Sequence, residues 1–259
     1  MKAVILAGGK GTRLKPYTAV FPKPLVPIGD IPILEVVIRQ LRSHGFTEVI
    51  MAVGHLAELL MAYFGDGSRF GLQIKYSRED VPLGTVGPLA QIAGLSGTFL
   101  VMNGDVLTTL NYRELLIHHR RSGAQATIAT HERSVKIDFG VVESNAQEEL
   151  TNYVEKPSFH YRVSMGVYVF EPAILSLIAP GQRLDFPDLV HLLLQSGRKV
   201  VSYPYAGYWL DIGRPDDYEQ ASEEFTRLRH QFLPEPCALS DTSKTHPSLP
   251  VRPSVDGLQ

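Results

Sequence analysis

The sequence has one cysteine, Cys237, among 259 residues, and it has no large surplus of charge of either sign. A single cysteine cannot form an intramolecular disulfide or a cysteine-based zinc site, which is consistent with a reducing compartment. The formal net charge of −2 provides no general positive field for nucleic acid or anionic lipid. We therefore expect no nucleic-acid partner, and any anionic ligand must be held by a few local cations.

Long apolar runs are also missing. No apolar stretch reaches the roughly 18 residues of a membrane span, and the first residues lack the charged start, apolar centre and cleavage site of a signal peptide. These absences predict a cytoplasmic protein without a membrane partner. The nine histidines form no His-Glu-x-x-His metal motif, and no Gly-x-Ser-x-Gly sequence supports a serine hydrolase.

Strand and helix patterns alternate along the first half of the chain. Residues 31–44 carry apolar side chains at helical spacing, residues 48–54 form a short apolar run typical of a buried strand, and residues 85–93 can be helical. This alternation predicts an α/β fold, a Rossmann-like three-layer sandwich whose central sheet is mostly parallel and carries helices on both faces. In such sheets ligands bind beyond the carboxyl ends of the strands.

The second half of the chain has a different pattern. Residues 139–143, 151–157 and 162–170 read as strands without intervening helices, which predicts an antiparallel addition to the parallel sheet. Helices are predicted for residues 186–195 and from Pro215 to about His230. Residues 233–259 are rich in proline and serine and have almost no apolar pattern, so we expect one domain, residues 1–232, and a disordered tail.

A glycine-rich loop directly follows the first apolar strand. Gly8, Gly9 and Gly11 have no Cβ, so their peptide N–H groups can approach an anion closely. Arg13 and Lys23 would add positive charge at the same place. The loop, residues 8–14 and called the glycine loop below, therefore suits a phosphate group.

Two common glycine loops do not fit this stretch. The dinucleotide fingerprint needs a third glycine where Leu14 stands, which argues against a nicotinamide-dependent enzyme. The P-loop needs serine or threonine after its lysine, whereas Gly11 follows Lys10.

A carboxylate follows a second strand. Asn103-Gly104-Asp105 comes directly after the apolar run that ends at Met102, at the sheet edge where the glycine loop is expected. Asp105 is well placed there to hold magnesium against a phosphate. The same three residues are also good turn formers, and the two interpretations are equally supported by the residues alone.

The glycine loop and its continuation resemble the signature of the sugar-1-phosphate nucleotidylyltransferases, also called nucleotide-sugar pyrophosphorylases. The segments that carry the resemblance are Leu6-Ala7-Gly8-Gly9-Lys10-Gly11-Thr12-Arg13-Leu14, Pro16, Thr18, Pro22-Lys23-Pro24-Leu25-Val26-Pro27-Ile28, Pro82-Leu83-Gly84-Thr85, Glu155-Lys156-Pro157 and Trp209-Leu210-Asp211-Ile212-Gly213. The resemblance covers about residues 1 to 230. It implies transfer of a nucleoside monophosphate from a nucleoside triphosphate to a sugar 1-phosphate, a Mg²⁺ cofactor and a possible homo-oligomer. The C-terminal β-helix of longer relatives is not expected in this chain.

The resemblance also implies roles for individual residues. Arg13 would grip the triphosphate and Lys23 would lie beside its α-phosphate, as the catalytic residues. Asp105 and Asp211 would hold the metal. The residues implied to bind nucleotide are Leu6, Ala7, Gly8, Gly9, Gly11, Thr12, Pro82, Gly84, Thr85 and Asp105.

The sugar phosphate is assigned to the second half of the chain. By resemblance, Gly140 lets the backbone approach the ring, Glu155 accepts hydrogen bonds from hydroxyls, and Lys156 neutralises the phosphate. Ser164 stands where relatives often have asparagine, so the identity of the sugar stays open. Without the resemblance, Glu155 and Lys156 read as solvated charges at the end of a strand.

The substrates are the least constrained part of this interpretation. The sequence of residues 82–85 most resembles that of the guanylyl branch of the family, which favours GTP and mannose 1-phosphate as the substrates. Glucose, heptose or another hexose 1-phosphate, and UTP, dTTP or CTP, remain alternatives. A non-catalytic regulatory paralogue that binds a nucleotide sugar is a further alternative. Such a protein would be expected to lose Arg13, Lys23 or a metal carboxylate, and all are present.

Overall fold

The computed structural model describes residues 1–15 and 17–233. Its strands are β1 Lys2–Ala7, β2 Pro27–Ile28, β3 Ile31–Pro32, β4 Glu48–Val53, β5 Gln73–Arg78, β6 Phe99–Asn103, β7 Val106–Thr108, β8 Ala126–Lys136, β9 Val141–Ser144, β10 Leu150–Val154, β11 Ser158–Phe170, β12 Val200–Tyr205 and β13 Trp209–Asp211. Its α-helices are α1 Ile33–Ser43, α2 Ala57–Phe64, α3 Tyr112–Ser122, α4 Phe186–Gln195 and α5 Pro215–Phe232. The predicted tail, apart from Leu233, lies outside these residues.

The central sheet has seven strands in the order β12-β8-β11-β6-β1-β4-β5. Strand β1 pairs in parallel with β4 and β6, β4 with β5, and β12 with β8. Strand β11 is antiparallel to both of its neighbours, β6 and β8. The predicted mostly parallel sheet with an antiparallel addition is thus confirmed.

Helices cover both faces of the sheet. Successive side chains of a strand point to opposite faces, so two neighbouring residues of β1 show which helices lie on each face. Ile5 of β1 packs in one buried cluster with apolar side chains of α1, α2 and α3. Its neighbour Val4 packs in a second cluster with Leu189 and Leu193 of α4. The three-layer sandwich predicted from the alternating pattern is therefore confirmed.

Two local predictions differ from the structure. The strands β9 and β10 form a separate two-stranded sheet and do not extend the central one. Residues 85–93 contain only a 3₁₀-helix, Gly87–Gln91. The N–H of Leu89 donates to the carbonyl of Val86 at 2.9 Å and that of Ile92 to the carbonyl of Leu89 at 3.3 Å, and this three-residue spacing is that of a 3₁₀-helix.

A third buried cluster joins the last helix to the first loop. Phe225 and Phe232 of α5 are fully buried and pack with Leu14, Ile28 and Ile212. Leu14 is the buried end of the glycine loop. The helix α5 therefore supports the segment that carries Arg13. Within the described residues, no helix combines the length and the apolar character needed to cross a membrane.

Candidate active site

The strand order creates a crevice at one edge of the sheet. From β1 the chain proceeds to β4 and β5 on one side, and then crosses to β6 on the other side of β1. Ligands of open α/β sheets bind at such a reversal, beyond the carboxyl ends of the strands. The glycine loop follows β1 and the turn at Gly104 follows β6, so both border this crevice.

A cleft of about 890 Å³ occupies the crevice. Arg13 and Lys23 line it, and so does each residue that the resemblance assigns to nucleotide binding: Leu6, Ala7, Gly8, Gly9, Gly11, Thr12, Pro82, Gly84, Thr85 and Asp105. The fold thus brings together residues from four separate segments of the chain. Their roles in binding and catalysis remain predictions.

The glycine loop is packed against neighbouring residues at Gly8 and Gly11 and is open at Gly9. A Cβ on Gly8 would lie 2.8 Å from Oε1 of Glu79, so a side chain at this position would displace the Glu79 carboxylate. Gly11 adopts a left-handed conformation with φ of 60°, and its carbonyl accepts a hydrogen bond from Thr18 Oγ1 at 2.7 Å. A Cβ on Gly9 would meet no atom within 4 Å. The backbone at Gly9 is therefore open to a ligand.

Lys23 lies between two carboxylates beside this loop. Its ammonium group donates a hydrogen bond to Oδ2 of Asp105, and Oδ1 of Asp211 is 4.0 Å away. The two aspartates are close because β13 pairs with β7, which places Asp211 opposite Val106. The N–H of Ile212 also donates to the carbonyl of Asp105 at 3.2 Å.

Arg13 approaches the same group of charges from the glycine loop. A Cβ on Gly213 would lie 3.7 Å from the guanidinium of Arg13, so the two residues are neighbours. The side chain of Arg13 is exposed to the cleft. Arg13, Lys23 and Asp105 thus line the cleft together, and Asp211, which does not line it, lies beside Lys23.

The two carboxylates fit a magnesium ion. Oδ1 of Asp105 is buried and has no hydrogen-bond partner among the described residues. Burial raises the pKa of the Asp211 carboxyl, and the charge of Asp105 raises it further, against the opposing effect of Lys23 and Arg13. Magnesium takes oxygen ligands and is commonly held by one or two carboxylates, with substrate phosphates and water completing its shell. No group of three potential ligand side chains occurs in the described part of the chain, so phosphate and water would supply the other ligands.

The raised pKa of Asp211 predicts a pH-dependent effect on stability in metal-free protein. An acid whose pKa is higher in the folded state disfavours folding when ionised, and this penalty disappears as the pH falls to the ordinary value of 3.8. We therefore expect Asp211→Asn to raise the Tm at pH 8 in the presence of EDTA. The difference from wild type should shrink as the pH is lowered toward 3.8.

A matched control for this prediction is Asp216→Asn. Asp216 lies in the first turn of α5, where a negative charge interacts favourably with the helix dipole, so its loss should lower the Tm slightly at pH 8. Thermal unfolding followed by circular dichroism measures both variants. A lower Tm for Asp211→Asn than for wild type at pH 8 in EDTA would contradict the electrostatic account.

The residues assigned to the sugar phosphate are less closely grouped than the residues assigned to the nucleotide. Gly140, Glu155 and Lys156 are not among the residues that line the cleft. Glu155 accepts a hydrogen bond from the hydroxyl of Tyr153 at 2.9 Å, and its Oε1 lies 3.8 Å from Nζ of Lys156. Lys156 has a left-handed backbone with φ of 46°, which is strained for a residue other than glycine. These three assignments stay predictions.

Ser164 contacts a buried tyrosine. Its hydroxyl donates to the hydroxyl of Tyr168 at 3.1 Å. Burial raises the pKa of Tyr168, and the charge of Asp211 contributes in the same direction, so Tyr168 is within electrostatic reach of Asp211. Ser164, like the other three residues assigned to the sugar phosphate, does not line the cleft, and its assignment stays a prediction.

The sequence reasoning missed Glu79, which lines the cleft. Its Oε2 accepts a hydrogen bond from the N–H of Leu83 at 3.1 Å, and burial raises the pKa of its carboxyl despite that bond. The available signal was a charged pair, Glu79-Asp80, directly before residues 82–85. Lys10, His55, Arg78 and Asn103 also line the cleft without having been predicted.

Asp217 and Trp209 lie near Asp211 in the sequence, and both make hydrogen bonds that stabilise the fold. Asp217 accepts hydrogen bonds from the N–H groups of Gly213 and Arg214 at 3.2 and 2.8 Å, which agrees with a role at the start of α5. Trp209 donates its indole N–H to the carbonyl of Met165 at 2.9 Å and packs against the first buried cluster.

Comparison with known proteins agrees with this geometry. The family described as "Nucleotidyl transferase" matches residues 2–227. A UTP–glucose-1-phosphate uridylyltransferase from Synechocystis is 38% identical, over 85% of this chain and 62% of the relative. A mannose-1-phosphate guanylyltransferase from Mycobacterium tuberculosis is 35% identical, over 87% of this chain and 64% of the relative. The chain therefore spans less than two thirds of the length of these curated relatives.

Solved structures share the fold. A putative glucose-1-phosphate thymidylyltransferase from Bacillus anthracis superposes with a TM-score of 0.70 at 24% identity, over 86% of this chain and 94% of that one. HddC from Yersinia pseudotuberculosis superposes with a TM-score of 0.67 at 25% identity, over 86% and 99% of the two chains. Because the family match covers residues 2–227, the chain belongs to the nucleotidyl transferase family.

Proposed function

We propose that the protein transfers a nucleoside monophosphate from a nucleoside triphosphate to a sugar 1-phosphate, with release of pyrophosphate. The observation that carries this proposal is the position of Lys23 between Asp105 and Asp211 beside an open glycine loop. Such an arrangement provides positive charge, two potential metal ligands and bare backbone at one end of a cleft. It suits two anionic substrates that must meet.

The reaction places modest demands on proton transfer. A phosphate monoester has a second pKa near 6, so the attacking oxygen of the sugar phosphate is already largely deprotonated at neutral pH. No general base is required of the protein. The site must instead neutralise charge and align the attacking and leaving oxygens at the α-phosphorus.

The residues of the cleft meet these demands. Arg13 and Lys23 would neutralise the triphosphate, while the N–H groups of the glycine loop hold its oxygens. Asp105 and Asp211 would hold the magnesium ion, which when bound supplies positive charge to the phosphate oxygens. Lys156, which does not line the cleft, would neutralise the phosphate of the sugar, as the resemblance implies. The two anions could then approach each other in line.

For the base, we propose guanine, with mannose 1-phosphate as the second substrate. Glu79 carries a partly buried carboxylate in the cleft, and an ionised carboxylate can only accept hydrogen bonds. The Watson–Crick edge of guanine presents two adjacent donors, N1–H and the 2-amino group. Uracil and thymine present one donor between two carbonyl oxygens, which a carboxylate repels. Glu79 therefore supports GTP over UTP and dTTP.

The names of the relatives do not distinguish these bases, because both uridylyl and guanylyl transferases align with the chain. The direct test is pyrophosphate release in the presence of Mg²⁺. GTP, UTP, dTTP, CTP and ATP would each be combined with mannose, glucose, galactose and heptose 1-phosphates. We expect the strongest signal for GTP with mannose 1-phosphate. Strong turnover with UTP and glucose 1-phosphate would favour the alternative substrates, and nucleotide binding without turnover in any combination would favour the regulatory paralogue.

A substitution of Glu79 tests the base assignment. Glutamine offers an amide donor and a carbonyl acceptor, which complement the carbonyl and N3–H of uracil. We expect Glu79→Gln to lower the ratio of kcat/KM for GTP to that for UTP by about tenfold to a hundredfold, the effect of losing one hydrogen bond to a charged group and gaining a mismatch. Steady-state kinetics with both nucleotides measures this ratio.

The adjacent residue provides the control. Asp80 is an exposed carboxylate that also lines the cleft, so Asp80→Asn removes the same charge from nearly the same place. We expect its GTP-to-UTP ratio to stay within about twofold of wild type, as for most surface changes. An unchanged ratio in Glu79→Gln would contradict a contact between Glu79 and the base.

A further inference from the structure

Residues 82–85, called the Thr85 loop below, are bound to a segment that lies 100 residues further along the chain. The N–H of Leu184 donates to the carbonyl of Leu83 at 2.9 Å. The carbonyl of Leu184 accepts from Val86 and Gly87 at 3.0 and 3.1 Å. The Thr85 loop therefore lies along the residues that lead into α4, in the manner of a short strand pair.

Side chains strengthen the same contact. Oδ1 of Asp185 accepts the N–H of Thr85 at 3.0 Å and lies 3.5 Å from its hydroxyl, while the N–H of Phe186 donates to that hydroxyl at 2.7 Å. Gly84 has φ of 80°, and a Cβ there would lie 2.6 Å from the carbonyl oxygen of Leu184. The contact is thus too close for any residue but glycine at position 84.

The opposite side of the Thr85 loop holds Glu79. The N–H of Leu83 donates to Oε2 of Glu79, so one loop contacts Asp185 on one side and Glu79 on the other. Gly84, Thr85 and Glu79 line the cleft, whereas Asp185 does not. Asp185 can therefore influence a ligand through the loop without touching it.

We propose that Asp185 is a positioning residue for nucleotide recognition. By accepting the N–H of Thr85, it fixes the Thr85 loop in the conformation that supports Glu79, the residue proposed to contact the base. This inference rests on the proposed function, in which a nucleoside triphosphate occupies the cleft. It predicts that loss of Asp185 weakens the interaction with the base and leaves the interaction with the phosphates intact.

Asp185 also precedes α4, where an aspartate commonly serves as a helix cap. Its N–H donates to Oδ2 of Asp188, which lies in the first turn of α4. A role confined to capping would affect stability alone. Asp188 provides the matched comparison, because it contributes to the start of the same helix and no hydrogen bond is found between it and the Thr85 loop among the described residues.

The experiment compares Asp185→Ala, Asp185→Asn and Asp188→Ala with wild type. Dissociation constants are measured by calorimetry for GTP and for inorganic tripolyphosphate, both with Mg²⁺. Tripolyphosphate presents the phosphates without a base. For Asp185→Ala we expect a Kd for GTP that is about three- to tenfold higher, the usual effect of one lost hydrogen bond, with an unchanged Kd for tripolyphosphate. Asp185→Asn should bind GTP as wild type does, because its amide oxygen can still accept the N–H of Thr85.

Kinetics gives an independent readout of the same variants. Asp185→Ala should raise the KM for GTP while kcat and the KM for the sugar phosphate stay constant. Asp188→Ala should lower the Tm without a change in either Kd. Equal weakening of GTP and tripolyphosphate by Asp185→Ala, or equal effects of Asp185→Ala and Asp188→Ala on GTP, would overturn the inference.

Failure of the proposed function gives a different result. If wild type binds GTP but releases no pyrophosphate with any sugar phosphate, the proposed reaction is wrong, and the ratio of the two dissociation constants still tests Asp185. If wild type prefers UTP, the same comparison made with UTP tests Asp185, and only the guanine assignment is lost. A wild-type protein that binds none of the five nucleoside triphosphates overturns both proposals.

Discussion

Replacement of Lys23 by methionine should lower kcat at least about a hundredfold, the cost of losing one group aimed at charge that develops in a transition state. The side chain of Lys23 is only 11% exposed and contacts Asp105, so its ammonium is fixed and poorly solvated before substrate binds. A charge held in this way acts on the phosphates without first being reoriented. Methionine keeps most of the apolar stem and removes the charge. Pyrophosphate release at saturating substrates measures the effect.

The control for Lys23 is Lys15→Met. Lys15 is exposed, follows the glycine loop and does not line the cleft, so its loss should change kcat by less than about twofold. Circular dichroism and the Tm establish that Lys23→Met is folded. An enzyme with Lys23→Met that turns over at the wild-type rate would remove Lys23 from the proposed mechanism.

Replacement of Asp105 by asparagine should have a comparable or larger effect. Asparagine cannot match the charge of the carboxylate toward magnesium, and Oδ1 of Asp105 is the buried oxygen that has no other partner in the described residues. We expect kcat to fall at least about a hundredfold, together with a higher Mg²⁺ concentration for half-maximal activity. A magnesium titration of the initial rate measures both quantities.

The double variant separates two roles of Asp105. If Asp105 served only to hold Lys23, then Lys23→Met with Asp105→Asn would be no slower than Lys23→Met alone, because residues in contact are not additive. If Asp105 also holds the metal, the double variant is slower and needs more Mg²⁺. Asp80→Asn, which removes a carboxylate elsewhere in the cleft, should leave the magnesium requirement unchanged. An unchanged requirement in Asp105→Asn would contradict the metal assignment.

Much of the fold follows from local patterns in the sequence. The helix predicted for residues 186–195 has those bounds in the structure, because Asp185 and Pro187 mark its start and its apolar residues recur at helical spacing. The glycine loop could be located in the same way, since its glycines follow a strand of apolar residues directly. Such features depend on neighbours in the chain, which the sequence displays.

The contacts that build the candidate site depend on distant residues. Lys23 and Asp105 are separated by 82 positions; the strand pattern placed both near one edge of the sheet, but it did not predict the hydrogen bond between them. The contact between Thr85 and Asp185 spans 100 positions and left no local signal beyond Gly84. The separate sheet of β9 and β10 was also missed, because an alternating strand pattern does not specify the partner of a strand.

The place of β11 in the sheet has a consequence for how the protein is made. Strand β11 lies between β6 and β8, yet both of these strands are synthesised before it. Until residue 170 has left the ribosome, β6 and β8 cannot acquire the neighbour that separates them, and each presents an unpaired edge. A truncated chain that ends between residues 136 and 158 lacks both β11 and β12, so β6 has one unpaired edge and β8 has two. Truncated products that end in this interval are the ones in which aggregation and chaperone binding should concentrate.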